Sequence, residues 1–227
     1  MDFLFLWKII LTNYDSIYII ISERRDTMKN KIVVYGGSFN PPLNSHFSIA
    51  QQVINQIDNV EKVIFVPVNA NYLKKGLVSN EDRLKMLSLV IDKNDQFELS
   101  DMNMNVERSL YMIEILDKMQ NQYPDKEICF VMGSDNLKEV EQWKNAKELL
   151  TKYPLIVMER GTDEAFKIIQ KSDFLKKFQD TIYLLNQDIK SNYSSTYVRE
   201  QIKNGKSVRY LMPDEVYEYI KEHELYR

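Results

Sequence analysis

The sequence is poor in cysteine: its 227 residues hold one, Cys129, inside the apolar run Ile128-Cys129-Phe130-Val131. No intrachain disulfide can form and no cysteine-based metal cluster exists, which fits a reducing cytoplasm. A basic excess is also lacking. The 30 Lys and Arg against 33 Asp and Glu leave a net charge of −3. Nothing therefore favours a nucleic-acid backbone, which needs cations gathered on one face. A small-molecule partner is expected instead. Repeats, low-complexity tracts and Pro/Gly/Ser linkers are missing too, so nothing divides residues 28–227.

An uninterrupted membrane span is absent as well. The apolar stretches Phe3-Leu4-Phe5-Leu6-Trp7 and Ile17-Tyr18-Ile19-Ile20-Ile21 are separated by a segment containing Lys8, Asn13 and Asp15. A span wants roughly 20 mostly apolar residues. A secretory leader wants a basic start and small residues before its cleavage site, and here the chain opens Met1-Asp2 and reaches Glu23-Arg24-Arg25-Asp26. Residues 1–27 read as an extension outside the fold, with Met28 as the natural start. A peripheral helix or an added strand are the alternatives, and no firm membrane association is expected.

What is present is ordinary globular composition, 44% hydrophobic and 28% charged. At this length a single domain can bury about 70% of its unfolded surface. Short apolar runs alternate with segments of helical period. The runs are Ile32–Tyr35, Val63–Val66, Ile128–Val131, Leu155–Met158 and Ile182–Leu185, with a weaker one at Phe97–Leu99. Near-continuous hydrophobicity marks strands covered on both faces. Helices are expected over 45–57, 80–93, 109–121, 145–151, 163–177, 195–204 and 213–223. The predicted fold class is α/β, a Rossmann-like doubly wound parallel sheet with helices on both faces. Nothing in the pattern sets the oligomeric state, and a homo-oligomer stays open.

The turn Gly36-Gly37-Ser38-Phe39-Asn40-Pro41 follows the first strand and enters a helix carrying His46. Ligands of open α/β sheets bind at that carboxyl edge. Glycines let backbone N–H groups approach phosphate oxygens, and the helix start adds a positive dipole end. The same residues also suit a plain strand-to-helix turn. His46 can donate to a phosphoryl oxygen as charge develops. Ser194-Ser195-Thr196, followed by Arg199, is either an anion site or a routine N-cap. Gly133-Ser134-Asp135 brings a carboxylate to the same edge, where it can accept from ribose hydroxyls. The stretch from Asn69 to Ser79 is long enough to be an active-site loop.

Taken in order, these segments resemble the nicotinate-nucleotide adenylyltransferase family of the nucleotidylyltransferase superfamily, over essentially all of 31–227. The family's GGTFDPxHxGH reads here as Gly36 to His46, its FVP as Phe65-Val66-Pro67, and its PPHK loop as Asn71-Tyr72-Leu73-Lys74. Its RxxML is Arg83 to Leu87, its GADNL Gly133 to Leu137, its tryptophan Trp143, and its ISSTxIR Tyr193 to Arg199. The ending from Arg209 to Tyr217, closing with Leu225-Tyr226, is similar as well.

The resemblance implies AMP transfer from ATP to a pyridine mononucleotide. His46, Lys74 and Arg199 would be catalytic, acting on the triphosphate. ATP would be held by Gly36, Gly37, Ser38, Phe39, Asn40, Gly133, Asp135, Ser194, Ser195 and Thr196. The acceptor would be held by Tyr111, Met112, Trp143 and Arg160. Mg2+ would arrive with ATP, with no metal site of the protein's own.

Four departures stand out. Leu43 replaces the first histidine of HxGH and Leu73 that of PPHK, each removing a phosphate-directed donor worth a factor of about 100–1,000 unless another group, such as Lys75, covers the oxygen. Asn40 replaces Asp. Met112 stands where a threonine would meet the nicotinate carboxylate, which opens the choice of acceptor. The alternatives are a transferase for another phosphorylated acceptor and a nucleotide-binding homologue of weak activity.

Overall fold

A computed structural model describes residues 29–70, 76–159, 164–186 and 193–227. The expected extension at 1–27, its boundary at Met28, and Leu73, Lys74, Lys75 and Arg160 lie outside the described residues. Strands and helices alternate: β1 Lys31–Gly37, α1 Asn44–Gln56, β2 Val60–Pro67, α2 Asn80–Ile91, β3 Phe97–Leu99, α3 Met112–Gln122 and β4 Glu127–Gly133. The short α4 Ser134–Leu137 and then α5 Ala146–Lys152 lead to β5 Leu155–Met158. After α6 Ala165–Lys171 and β6 Ile182–Leu184 come α7 Ser195–Lys203 and α8 Asp214–Glu222.

The six strands form one parallel sheet in the order β3-β2-β1-β4-β5-β6. Alternate residues of β1 serve opposite faces, as strand geometry requires. Ile32 and Val34 pack with Ile113, Leu116 and Met119 of α3 and with Leu149 and Leu150 of α5. Val33 and Tyr35 pack with Ala50 and Val53 of α1 and with Leu87 and Ile91 of α2. Each such fully buried aliphatic side chain is worth about 1.5–3 kcal/mol. The expected doubly wound sheet is therefore what forms. The strand order reverses between β1 and β4, which places Gly37 and Gly133 beside the crevice where such sheets bind ligands.

A third apolar cluster lies beyond the sheet. Leu43 and Met86 meet Val198 of α7, Val208, Met212, and Val216 and Ile220 of α8. It docks the C-terminal helices against the start of α1 and against α2.

Element boundaries differ from the pattern where side chains intervene. The helix expected from 109 starts at Met112, because Asn103 Oδ1 accepts from Leu110 N–H at 2.7 Å and Glu114 accepts from Tyr111 N–H at 2.8 Å, closing a cap there. The helix expected over 163–177 stops at Lys171. Ser172 takes extended backbone angles and its hydroxyl accepts from Leu175 N–H at 3.1 Å, opening a separate 3-10 segment over Leu175–Thr181. Helix α7 ends as its sequence suggests: Gly205, at φ +69°, and Lys206 bond back to the Ile202 and Gln201 carbonyls.

Candidate active site

The turn after β1 is held from behind, carbonyl by carbonyl. Gly37 O accepts from Val68 N–H at 2.9 Å and Ser38 O from Arg83 Nη1 at 3.1 Å. Asn40 O accepts from Arg199 Nη1 at 2.8 Å and Pro41 O from the Ser195 hydroxyl at 2.9 Å. An anion is repelled by carbonyl oxygens and attracted by N–H groups. Engaging the carbonyls with donors from the body of the protein removes that repulsion from the rim where a phosphate would lie. Phe39 takes φ +44°, with a cis Asn40–Pro41 peptide just after it; its buried ring packs edge-on against Tyr35 and His46 at centroid distances of 5.4 and 5.2 Å.

The two glycines serve this turn through space. A Cβ on Gly36 would lie 2.8 Å from the Met112 terminal methyl and 3.5 Å from the Phe130 ring; one on Gly37 would lie 2.8–3.1 Å from the Phe39 ring.

Arg83 is wholly buried. Besides Ser38 O, it donates to Val68 O at 2.6 Å, to Val78 O at 3.3 Å and to Asn80 Oδ1 at 2.6 Å. These acceptors are neutral, so a guanidinium charge lies directly behind the turn. Burial lowers its pKa from the ordinary arginine value, yet arginine remains charged in proteins. In the sequence Arg83 belongs to a motif without a task of its own; its complete burial, visible only in three dimensions, reveals the role.

His46 is oriented by the backbone. Leu43 N–H donates to its Nδ1 at 2.8 Å, and Tyr35 and Phe39 flank the ring. A neutral imidazole that accepts at Nδ1 carries its proton at Nε2. Leu43, where the motif has histidine, directs its side chain into the C-terminal apolar cluster and is 1% exposed. A residue lodged there packs the core beneath the site.

The expected anion group at the start of α7 divides its duties. Ser194 caps the helix, accepting from Tyr197 N–H at 3.2 Å. Arg199 Nη2 donates to Thr196 Oγ1 at 3.2 Å while Nη1 holds the turn. Of five N–H donors on a guanidinium, these bonds use two. Across the crevice, Gly133 ends β4 and Asp135 stands exposed in the first turn of α4.

Beside Gly36 the wall is apolar. Met112 begins α3, the Trp143 ring leans on Phe130 at 6.2 Å, and Tyr111 is half exposed with the Arg108 guanidinium over its ring. Phe130 reads in the sequence as strand core; its ring also supports Trp143 and borders Gly36. The loop expected to carry Lys74 is tied at both described ends. Ala70 N–H donates to Asn80 Oδ1 at 2.8 Å, and Gly76 O and Val78 N–H bond the Asn40 side chain.

A cytidylyltransferase-like family model matches residues 34–201. A Caldicellulosiruptor bescii protein named a probable nicotinate-nucleotide adenylyltransferase is 36% identical over 200 residues, covering 87% of this chain and 99% of its own. The chain belongs to the nicotinate-nucleotide adenylyltransferase family. A Clostridium tetani relative of the same name is 31% identical over 88% of this chain and 100% of its own. Among solved structures, Plasmodium falciparum nicotinic acid mononucleotide adenylyltransferase complexed with NaAD superposes with a TM-score of 0.74 at 20% identity, covering 87% of this chain and 97% of that one. At that identity the likeness is one of fold. Within the family frame, the glycine turn, the GSDNL segment and the α7 start described above occupy one rim of one sheet. No helix among the described residues is long and apolar enough to cross a membrane.

Proposed function

We propose that this chain transfers AMP from ATP to nicotinate mononucleotide, giving deamido-NAD and pyrophosphate, in the cytoplasm. The observation that carries the reading is the 37–41 turn, four of its carbonyls engaged by Val68, Arg83, Arg199 and Ser195 at the switch point of the sheet. The names of the relatives, and the NaAD with which the Plasmodium falciparum neighbour is complexed, support the choice of nucleotides.

In the reaction a phosphate oxygen of the mononucleotide bonds to the α-phosphorus of ATP as the bond from that phosphorus to the bridging oxygen breaks. The departing pyrophosphate takes the electron pair. The protein aligns the two phosphates and stabilises the charge that develops. His46, Arg199 and Lys74 act on the triphosphate. The backbone from Gly36 to Asn40, with Ser194, Ser195 and Thr196, holds it, and Gly133 with Asp135 meets the ribose. Tyr111, Met112, Trp143 and Arg160 face the acceptor, with Trp143 as the stacking surface for its ring. Magnesium keeps several waters and binds chiefly through substrate phosphates, so it would arrive with ATP. Bound with ATP, it would neutralise charge on the leaving group.

The Met112 methyl against Gly36 supports a second reading, in which the amide mononucleotide is accepted as readily as the acid. The threonine hydroxyl that would favour a carboxylate is replaced by a thioether. Pyrophosphate release with ATP, Mg2+ and a panel of nicotinate mononucleotide, nicotinamide mononucleotide, phosphopantetheine and sugar phosphates tests both readings. Release confined to the nicotinate nucleotide is expected. Equal rates with the amide would favour the second reading, and silence with every pyridine nucleotide would overturn both.

A further inference from the structure

The last four residues turn back toward the phosphate rim through an unusual backbone. After α8, Glu224 adopts φ +51° and the N–H groups of Glu224 and Leu225 bond the Lys221 and Ile220 carbonyls, a helix-ending motif usually built on glycine. Tyr226 follows at φ +66°. Non-glycine residues in left-handed conformations are strained and persist only when the surroundings over-determine them.

What holds the second is a contact at the site. The Tyr226 hydroxyl donates to Asn40 Oδ1 at 2.8 Å, with its ring packed on the C-terminal cluster. Asn40 is itself the junction of the rim. It is 1% exposed, its Oδ1 also accepts from Val78 N–H at 3.2 Å, its Nδ2 donates to Gly76 O at 2.9 Å, and its carbonyl holds Arg199. An amide can donate to one carbonyl while accepting from two donors; a carboxylate cannot make the Gly76 bond.

We propose that Tyr226 is a positioning residue of the nucleotidyl-transfer site: its hydroxyl fixes the Asn40 amide, and through Asn40 it sets the glycine turn, Arg199 and the Gly76 anchor of the adjoining loop. The inference rests on the ATP-site reading above. Removing the hydroxyl leaves Oδ1 with one donor and lets the amide rotate, which loosens the Gly76 and Val78 bonds together. The effect belongs to ATP rather than to the acceptor, because the groups that Asn40 bonds, Gly76, Val78, Arg199 and Tyr226, are not those assigned to the acceptor.

The experiment compares Tyr226→Phe with Tyr219→Phe in the full chain. The Tyr219 hydroxyl donates to Asp82 Oδ1 at 3.0 Å, so the control loses a similar bond from the same C-terminal segment that does not involve Asn40. Binding of Mg·ATP is measured by calorimetry without acceptor, and steady-state turnover with nicotinate mononucleotide is measured beside it. Tyr226→Phe is expected to weaken ATP binding about 3–10-fold and to lower kcat, with the acceptor KM unchanged; Tyr219→Phe should leave both near wild type at a similar urea midpoint. Equal ATP affinity and kcat in wild type and Tyr226→Phe would overturn the proposal, as would equal losses in the two variants. Should wild type bind ATP but turn over no mononucleotide, the functional reading fails, and the calorimetric comparison still decides the role of Tyr226.

Discussion

Gly36 and Gly37 are adjacent, yet different neighbours crowd them. The atom facing Gly36 is the flexible end of Met112, whereas the atoms facing Gly37 belong to the buried Phe39 ring. Gly36→Ala should therefore fold at close to wild-type stability, displace Met112 and raise the acceptor KM several-fold. Gly37→Ala should shift the turn itself and weaken ATP binding by at least about tenfold; urea titration and calorimetry separate the two outcomes. Leu43 is the residue at which sequence and structure diverge most. Read along the motif it is a missing phosphate donor, but its side chain belongs to an apolar cluster with Met86, Val198 and Val216. Leu43→His should thus lower stability by about 2–4 kcal/mol in urea and leave pyrophosphate release no faster than wild type. A gain in turnover would show that the imidazole reaches the rim after all.

At the scale of elements, the start of α3 is set by charge. Arg108 donates to both Glu114 carboxylate oxygens at 2.6 and 2.9 Å, and Tyr111 N–H donates to the same carboxylate. First the Arg108 bonds and then that backbone bond hold the Glu114 pKa at about 2. Between this value and the ordinary one the unfolded chain binds a proton that the folded chain does not, so stability rises with pH in that window. The contribution is complete above about pH 5 and fades as pH falls through the folded value. The urea midpoint of wild type should exceed that of Glu114→Gln by a constant margin above about pH 5, with the margin shrinking toward about pH 2. Helix periodicity is legible here, but the first turn is not, because Asn103 and Glu114 compete for the backbone that the pattern assigns to helix.

For the whole molecule, the sheet is packed on both faces while the phosphate rim rests on a third cluster supplied by the chain's last two helices. Ile220 in that cluster and Ile169 on the α3 and α5 face of the sheet are equally buried. Truncating either to alanine should cost about 2–5 kcal/mol in urea. Only Ile220→Ala should also weaken ATP binding, because α8 carries the tail that reaches Asn40. Equal ATP affinities in the two variants would show that the C-terminal cluster stabilises the fold without supporting the site.

The sequence by itself determined the alternation of strand and helix, because parallel strands buried on both faces must be near-continuously apolar and the five strong runs are. It also determined the family, since glycines, hydroxyls and His46 stand in motif order. Tertiary structure alone decided what those groups touch. It assigned Ser194 to capping and Ser195 with Arg199 to bracing the turn, lodged Leu43 in the core, and placed the guanidinium of Arg83 against the glycine turn. It also brought Tyr226 onto Asn40 across 186 positions of chain. The physical reason is that local pattern fixes which face of an element is apolar, whereas a hydrogen-bond partner between distant segments depends on the packing of every element between them.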